Sequence, residues 1–159
     1  MKLNHIFIAA LSCAFLFAAC GDEKKDSATS ATTSESTTAA SDGSSTDPKG
    51  IGAHKNIQLT HPLDEAMVTA GKNIAEVKCT SCHKTTDEKL VGPGWAKVTD
   101  RRTPEWIMNF MTNTDEMVER DTAVQNMLEV CLVKMPNQGL SEVEARSVLE
   151  YLRKNDGKN

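Results

Sequence analysis

Apolar residues recur at helical spacing from Ile51 onward, in stretches separated by Gly and Pro. No stretch alternates with a period of two for long enough to predict a strand. A first helix is predicted from about Asp64 to Lys78. A second is predicted to begin at Thr103-Pro104-Glu105, where an N-cap residue, a proline at the first helical position and an acid in the first turn coincide. The pattern therefore predicts an all-α domain.

The remaining helices are predicted nearer the C-terminus. One or two helical pieces are expected between Thr114 and Val133. The final helix has the clearest signal, because Ser141 and Glu144 form a capping box at its start. Its apolar face consists of Val143, Val148, Tyr151 and Leu152. It should end near residues 155–157, and residues 85–102, which include Gly92-Pro93-Gly94, are predicted to form a loop.

The N-terminus has the pattern of an export signal. Lys2 precedes the apolar run Ile6–Leu16, which is too short to span a bilayer as a mature helix. The following Phe17-Ala18-Ala19-Cys20 resembles the lipobox of bacterial lipoproteins, in which the cysteine receives diacylglycerol. Residues 1–19 are therefore predicted to be a lipoprotein signal peptide and Cys20 the lipidated residue of an exported, periplasmic or cell-envelope protein anchored to a membrane. A plain cleaved signal with an incidental cysteine is the alternative.

Residues 21–50 contain no Leu, Ile, Val, Met or aromatic side chain. Such a segment cannot bury enough apolar surface to offset the entropy lost on ordering. Together with the lipidated Cys20, the range 20–50 is predicted to be a disordered Ser/Thr-rich linker with a root-mean-square reach of roughly 30 Å. The folded domain is then expected over residues 51–159, which is enough for a single core.

Charge narrows the class of partner. Acidic residues (22) outnumber basic ones (18), which gives the 159-residue chain a net charge of −4. Removal of the signal, which holds Lys2, would make the processed chain about −5. A nucleic-acid partner is therefore not expected, because phosphate binding needs a basic surface.

The candidate chemistry lies in Cys79-Thr80-Ser81-Cys82-His83, whose spacing is that of a c-type haem attachment site. Cysteines at positions i and i+3 of a helical turn face the same way, so both thiols can form thioethers with the haem vinyl groups. His83 then lies under the iron as its proximal ligand. A thioredoxin-like pair, half of a zinc site and a structural disulfide are the alternatives, and the first two need neighbours that the sequence does not show.

Residues 63–155 resemble class I cytochromes c. Gly71, eight residues before Cys79, and Val148 and Tyr151 stand where that family crosses its first and last helices. Ala75 replaces the aromatic residue that the family has at this crossing. The resemblance implies a class I cytochrome c fold, a small helical domain around one covalent haem. It also implies that the carbonyl of Pro93, in Gly92-Pro93, accepts a hydrogen bond from Nδ1 of His83 and so fixes the imidazole.

The resemblance implies a methionine as the sixth iron ligand. Met135 stands in Lys134-Met135-Pro136-Asn137-Gln138-Gly139, an irregular segment just before the last helix, where the family places its axial methionine. His83 and Met135 are therefore the predicted metal ligands. Met117 or Met111 is the fallback, because methionine is by default a filler of apolar cores. The other candidates are Met67, Met108 and Met127.

Three functions are consistent with this site. A monohaem cytochrome closed at both axial positions would transfer single electrons between respiratory-chain partners, such as a terminal oxidase or nitrogen-oxide reductase, and would itself be no enzyme. A haem-based sensor or carrier of diatomic gas would need an open or displaceable sixth position. A haem peroxidase is the third, although no second redox centre is evident.

Several further residues are given no chemical role. Trp95, Trp106, Ile107 and Phe110 are expected to pack against the haem. Cys131 is interpreted as a small buried hydrophobe, and a redox-sensing role is the alternative. Basic side chains could surround the haem edge and steer an acidic partner, in which case added salt would slow electron transfer. These are Lys78, Lys84, Lys89, Lys97, Arg101 and Arg102.

Overall fold

The computed structural model describes residues 45–159. The predicted signal, Cys20 and linker residues 21–44 lie outside this range. The six helices are α1 (Glu65–Lys78), α2 (Val98–Arg101), α3 (Pro104–Thr112), α4 (Thr114–Arg120), α5 (Thr122–Cys131) and α6 (Glu142–Asn155). Within residues 45–159 the β-type pairing consists of two isolated bridges, at Ser45–Asp121 and His83–Lys89. The predicted all-α class is thus confirmed for this part of the chain, in which no helix has the length and hydrophobicity of a membrane span.

Helices α1 and α6 cross in close contact, as predicted from Gly71. A Cβ at Gly71 would lie 2.0 Å from the carbonyl oxygen of Ser147, so only glycine allows this approach. Ala75 is completely buried at the crossing, where its small side chain replaces the expected aromatic ring. This pair of helices carries the segment that begins at Cys79 and the segment that precedes α6.

The helix ends follow their sequence signals. Asp64 accepts from the backbone N–H groups of Ala66 and Met67, Thr103 caps α3, and Asp121 caps α5. The capping box of Ser141 and Glu144 is present at the start of α6. The predicted helical pieces between 114 and 133 are α4 and α5, which share the junction at Asp121.

The predicted loop 85–102 contains a helix that the sequence pattern missed. The carboxylate of Asp156 accepts from the backbone N–H groups of Lys97 and Thr99 and from the Thr99 hydroxyl, and this fixes the start of α2. The partner lies 57 residues away from Thr99 in sequence. A single turn of helix held by so distant a side chain leaves no periodicity to detect.

Residues 45–57 pack across α3, α4 and the start of α5, and we call this segment the strap. Asn109 is completely buried under it, and its amide accepts from His54 N–H and donates to the carbonyls of Lys49 and His54. Gly50 lies against Met117 and Trp106, where a Cβ would approach within 2.8 Å. Ordered contacts therefore begin within residues 45–50, a range that the sequence pattern assigned to the linker.

Candidate functional site

A largely apolar cavity of about 550 Å³ lies among the Cys79–His83 segment, the loop around Pro93, helices α3 and α5, and the segment before α6. Its walls include the predicted site residues Cys79, Cys82, His83, Pro93 and Met135. The four aromatic and aliphatic residues expected to pack against a cofactor also line it: Trp95, Trp106, Ile107 and Phe110. The structure thus brings to one cavity every predicted site residue that lies within residues 45–159.

The local fold presents the three motif side chains together. Helix α1 ends at Lys78, and the chain continues in a further turn in which the N–H groups of Cys82 and His83 both donate to the Cys79 carbonyl. Cys79 and Cys82 are free thiols, and burial raises the pKa of the Cys79 thiol. No group of three or more His, Cys, Asp or Glu that could hold a metal occurs among residues 45–159, so the described part lacks the ligands for the zinc alternative.

His83 is held on one side by its neighbours. Its Nδ1 lies 2.9 Å from the Pro93 carbonyl oxygen, and its ring stacks on Trp95 with centroids 5.3 Å apart. Burial lowers the pKa of His83, although the Pro93 hydrogen bond opposes that shift. The neutral imidazole favoured in this way is the form that binds a metal, and Nε2 is the nitrogen left for it.

The structure separates the methionine candidates into two groups. Met135 lines the cavity, as do Met111 and Met127. The fallback Met117 is wrong as a ligand in this structure, because it does not line the cavity. It is completely buried beneath the strap, and its Sδ accepts the backbone N–H of Ile51 at 3.0 Å.

The residues present fit a haem. Trp106 lines the cavity, yet its buried Nε1–H has no hydrogen-bond partner among the described residues. An orphaned buried donor is costly, so it indicates an acceptor that belongs in the cavity. Arg101 and Arg102 also line this wall, with the Arg102 guanidinium 4.5 Å from the centroid of the Trp106 ring. The cavity thus offers two cysteine thiols, the His83 imidazole, methionine thioethers, apolar walls and cationic side chains. These groups match a haem with its two carboxylates.

Sequence reasoning missed the contribution of α5. Val124, Met127, Leu128 and Cys131 all line the cavity, whereas the sequence analysis places Cys131 outside the site. The signal is present as an apolar face with helical spacing, Val124-Met127-Leu128-Cys131. It gives no indication of whether this face meets a cofactor or another helix.

The family model described as cytochrome c matches residues 68–156. No curated protein sequence gives a significant match.

Solved structures provide closer likenesses. A cytochrome c from Rhodothermus marinus has a TM-score of 0.64 and 35% sequence identity, covering 67% of this chain and 90% of its own. An engineered form of a Rhodothermus marinus cytochrome c, Rma TDE, has a TM-score of 0.66 and 33% identity, covering 70% of this chain and all of its own length (100%). The same engineered protein bound to a carbene intermediate has a TM-score of 0.63 and 33% identity, covering 70% of this chain and 100% of its own.

Proposed function

The chain belongs to the cytochrome c family, and from this premise we propose that it passes single electrons between respiratory-chain partners outside the cytoplasmic membrane. Members of this family carry a covalently attached c-type haem and serve as haem electron carriers. The class I fold is the one that residues 45–159 adopt. The haem supplies a one-electron couple, and the protein supplies attachment, orientation and a dry surrounding.

One observation carries the proposal: His83 and Met135, from segments more than 50 residues apart, line one apolar cavity. His83 and Met135 would supply the two iron ligands, and Cys79 and Cys82 would form the thioethers that attach the haem. The Pro93 carbonyl keeps the imidazole oriented and increases its basicity. Thioether ligation by Met135 would raise the reduction potential, which suits a donor to a terminal oxidase or a nitrogen-oxide reductase.

The test is the visible spectrum of the purified holoprotein, ferric and then reduced with dithionite, with and without carbon monoxide. The unmodified protein should be low-spin and unresponsive to carbon monoxide in the reduced form. Met135→Ala should be high-spin and should bind carbon monoxide, because the iron loses its sixth ligand. Met111→Leu and Met127→Leu are matched controls, since both residues line the same cavity. A high-spin spectrum confined to either control would assign the ligand to that methionine instead.

A diatomic gas carrier or sensor is the second candidate. It is favoured by the engineered Rhodothermus marinus relative, whose structure holds a carbene intermediate, because a cytochrome c fold can there admit a small ligand. Ready binding of carbon monoxide by the unmodified protein would make this function the leading one. Peroxide turnover above that of free haem would instead favour a peroxidase.

We propose that Cys20 carries the lipid that holds the domain at a membrane, with the segment up to Ser45 as tether. The lipobox-like Phe17-Ala18-Ala19-Cys20 supports this interpretation. Cys20→Ser, expressed in a bacterium with its signal intact, should move the haem protein from the membrane to the soluble fraction without altering its spectrum. Continued membrane association of this variant would contradict the anchor.

A further inference from the structure

The indole of Trp95 lies flat against the imidazole of His83. The two ring centroids are 5.3 Å apart and the ring planes differ by 18°. Rings that are nearly parallel at this separation are stacked with an offset, which is a favoured arrangement of two aromatic groups. Trp95 is only 9% exposed, and it lines the cavity together with His83. The candidate iron ligand is therefore covered by an aromatic face that is largely shielded from water.

The backbone around Trp95 is held firmly in place. The N–H of Trp95 donates to the Lys84 carbonyl at 2.9 Å. The Arg101 guanidinium donates to the carbonyls of Gly94 and Ala96, the residues on either side of Trp95. These hydrogen bonds fix the turn that carries the indole, so the stack on the imidazole does not depend on apolar packing alone.

Pro93 and Trp95 act on different parts of the same ring. The Pro93 carbonyl oxygen lies 2.9 Å from Nδ1 of His83 and fixes the orientation of the imidazole. The indole instead meets the π surface of the imidazole. An aromatic ring carries negative charge density on its face, and the face of Trp attracts a cation more strongly than those of Tyr and Phe. The stack can therefore act on the charge of the ring as well as on its position.

We propose that Trp95 acts through His83 to lower the reduction potential of the haem, because it stabilises the ferric state more than the ferrous state. This inference rests on the proposed function, in which His83 binds the iron. An imidazole bound to Fe(III) carries more positive charge than one bound to Fe(II), so the indole face attracts it more strongly. Burial keeps this attraction from being screened by water.

The redox step itself is simple. One electron enters from the donor and reduces Fe(III) to Fe(II). No bond forms or breaks, no proton moves, and Trp95 neither gains nor loses an electron. Trp95 changes only the relative free energies of the two oxidation states.

A large buried side chain also has an effect of the opposite sign. It excludes water from the ligand and the iron, which disfavours the ferric charge and raises the potential. The two effects can be separated with Trp95→Phe and Trp95→Leu. Phenylalanine and leucine are both smaller than tryptophan, whereas only phenylalanine presents an aromatic face to the imidazole.

The first measurement is the midpoint potential of the purified holoproteins by cyclic voltammetry. Trp95→Leu should raise the equilibrium constant for reduction by up to about tenfold, which is about 59 mV for one electron. Trp95→Phe should raise it less, because the phenyl face attracts a cation more weakly than the indole face does. The expected order of potentials is thus lowest in the unmodified protein, intermediate in Trp95→Phe and highest in Trp95→Leu.

The second measurement is urea unfolding in each oxidation state. Because the haem stays covalently attached in the unfolded chain, a change in potential must appear as a difference between ferric and ferrous stability. Trp95→Leu should therefore destabilise the ferric protein more than the ferrous protein, by the same factor in the unfolding constant. A contact that served only the structure would destabilise both states equally.

The control is Leu149→Ala, which truncates a completely buried side chain outside the cavity walls. It should destabilise both oxidation states alike and leave the reduction constant within about twofold of the parent. Unchanged potentials in both Trp95 variants would overturn the proposal. The reverse order of potentials would also overturn it, since the indole would then act by excluding water. If Trp95→Leu fails to fold, Trp95→Phe decides alone: a higher potential supports the proposal, and an equal or lower one overturns it.

Failure of the proposed function would be visible separately. An unmodified holoprotein that lacks a low-spin spectrum and a reversible one-electron couple would remove the electron-carrier function itself. A reversible couple that does not respond to either Trp95 variant would remove only the role of the indole.

Discussion

At the scale of single residues, the position of the His83 ring depends on the absence of a side chain at Gly92. A Cβ at Gly92 would lie 2.4 Å from Cε1 and 2.8 Å from Nδ1 of the imidazole. The ring can reach the Pro93 carbonyl only because position 92 has no side chain. The glycine therefore contributes to the geometry of the proposed iron ligand through the space that it leaves for the ring.

Gly92→Ala should push the imidazole away from the Pro93 carbonyl. We expect a partly high-spin spectrum and a loss of about 1–3 kcal/mol in unfolding free energy, as for other overpacked sites. Visible spectroscopy and urea unfolding of the holoprotein measure the two effects. Pro93→Ala is the matched control, because the accepting carbonyl belongs to the backbone and survives that change. A parental spectrum in the Gly92→Ala variant would show that the ring tolerates the extra methyl group.

Only some of these residues could be predicted from local sequence patterns. Cys79, Cys82 and His83 can be predicted because their chemistry depends on short spacing, and Met135 because it precedes a recognisable helix start where the resembling family has its methionine ligand. Asn109, the orphaned Nε1 of Trp106 and the left-handed Leu132 were missed. Their properties come from residues far along the chain, or from backbone conformation, and neither leaves a local pattern.

At the scale of helices, the close crossing of α1 and α6 positions the segment that begins at Cys79 and the segment that precedes α6. Most boundaries were predictable, since Asp64, Thr103 and Ser141 all cap helices through local side-chain contacts. Helix α2 was not predictable, because Asp156 creates its start from a distance.

Gly71→Ala should destabilise the crossing severely. The added methyl would lie 2.0 Å from the Ser147 carbonyl oxygen, and two backbones can separate only by repacking the core. We expect a loss of about 3 kcal/mol, at the upper end for overpacking, measured by urea unfolding of the holoprotein. Ala70→Ser, at the exposed neighbouring position, should be nearly neutral. Equal stability of the Gly71 variant and the parent would mean that the helices lie farther apart.

The cap of α6 should make stability depend on pH. The backbone N–H and hydroxyl of Ser141 lower the pKa of Glu144 below the ordinary value of a glutamate. A carboxyl group whose pKa is lower in the folded state stabilises the protein above its unfolded pKa, and this contribution is lost as the pH falls through the folded pKa. Glu144→Gln should therefore have a lower Tm than the parent at neutral pH and the same Tm in acid. A difference that persisted unchanged in acid would assign the effect to shape instead of charge.

At the scale of the whole molecule, the strap connects the polar segment to the helical domain. Composition placed the boundary at residue 51, because residues 45–50 contain no large apolar side chain. The strap is held mainly through its backbone: the Pro48 carbonyl accepts from Thr103, and the Lys49 carbonyl from Asn109. Backbone groups exist at every residue, so composition carries no record of this docking.

A chain that begins at Ile51 should be less stable than one that begins at Ser45. The shorter form loses the Ser45 pairing with Arg120 and Thr122 and the two carbonyls that Thr103 and Asn109 bind. At about 0.5–1.5 kcal/mol for each hydrogen bond, the loss should be at least about 2 kcal/mol. Chemical unfolding of both holoproteins checks this, with the full mature chain as reference. Equal stabilities would mean that the strap contributes nothing.

The position of Ser45 also fixes where the preceding part of the chain joins the domain. The chain enters beside Asp121, the residue that precedes α5, while Leu132 follows the last residue of the same helix. A ten-residue helix is about 15 Å long. The segment that precedes Ser45 therefore joins the domain at the end of α5 opposite to Leu132.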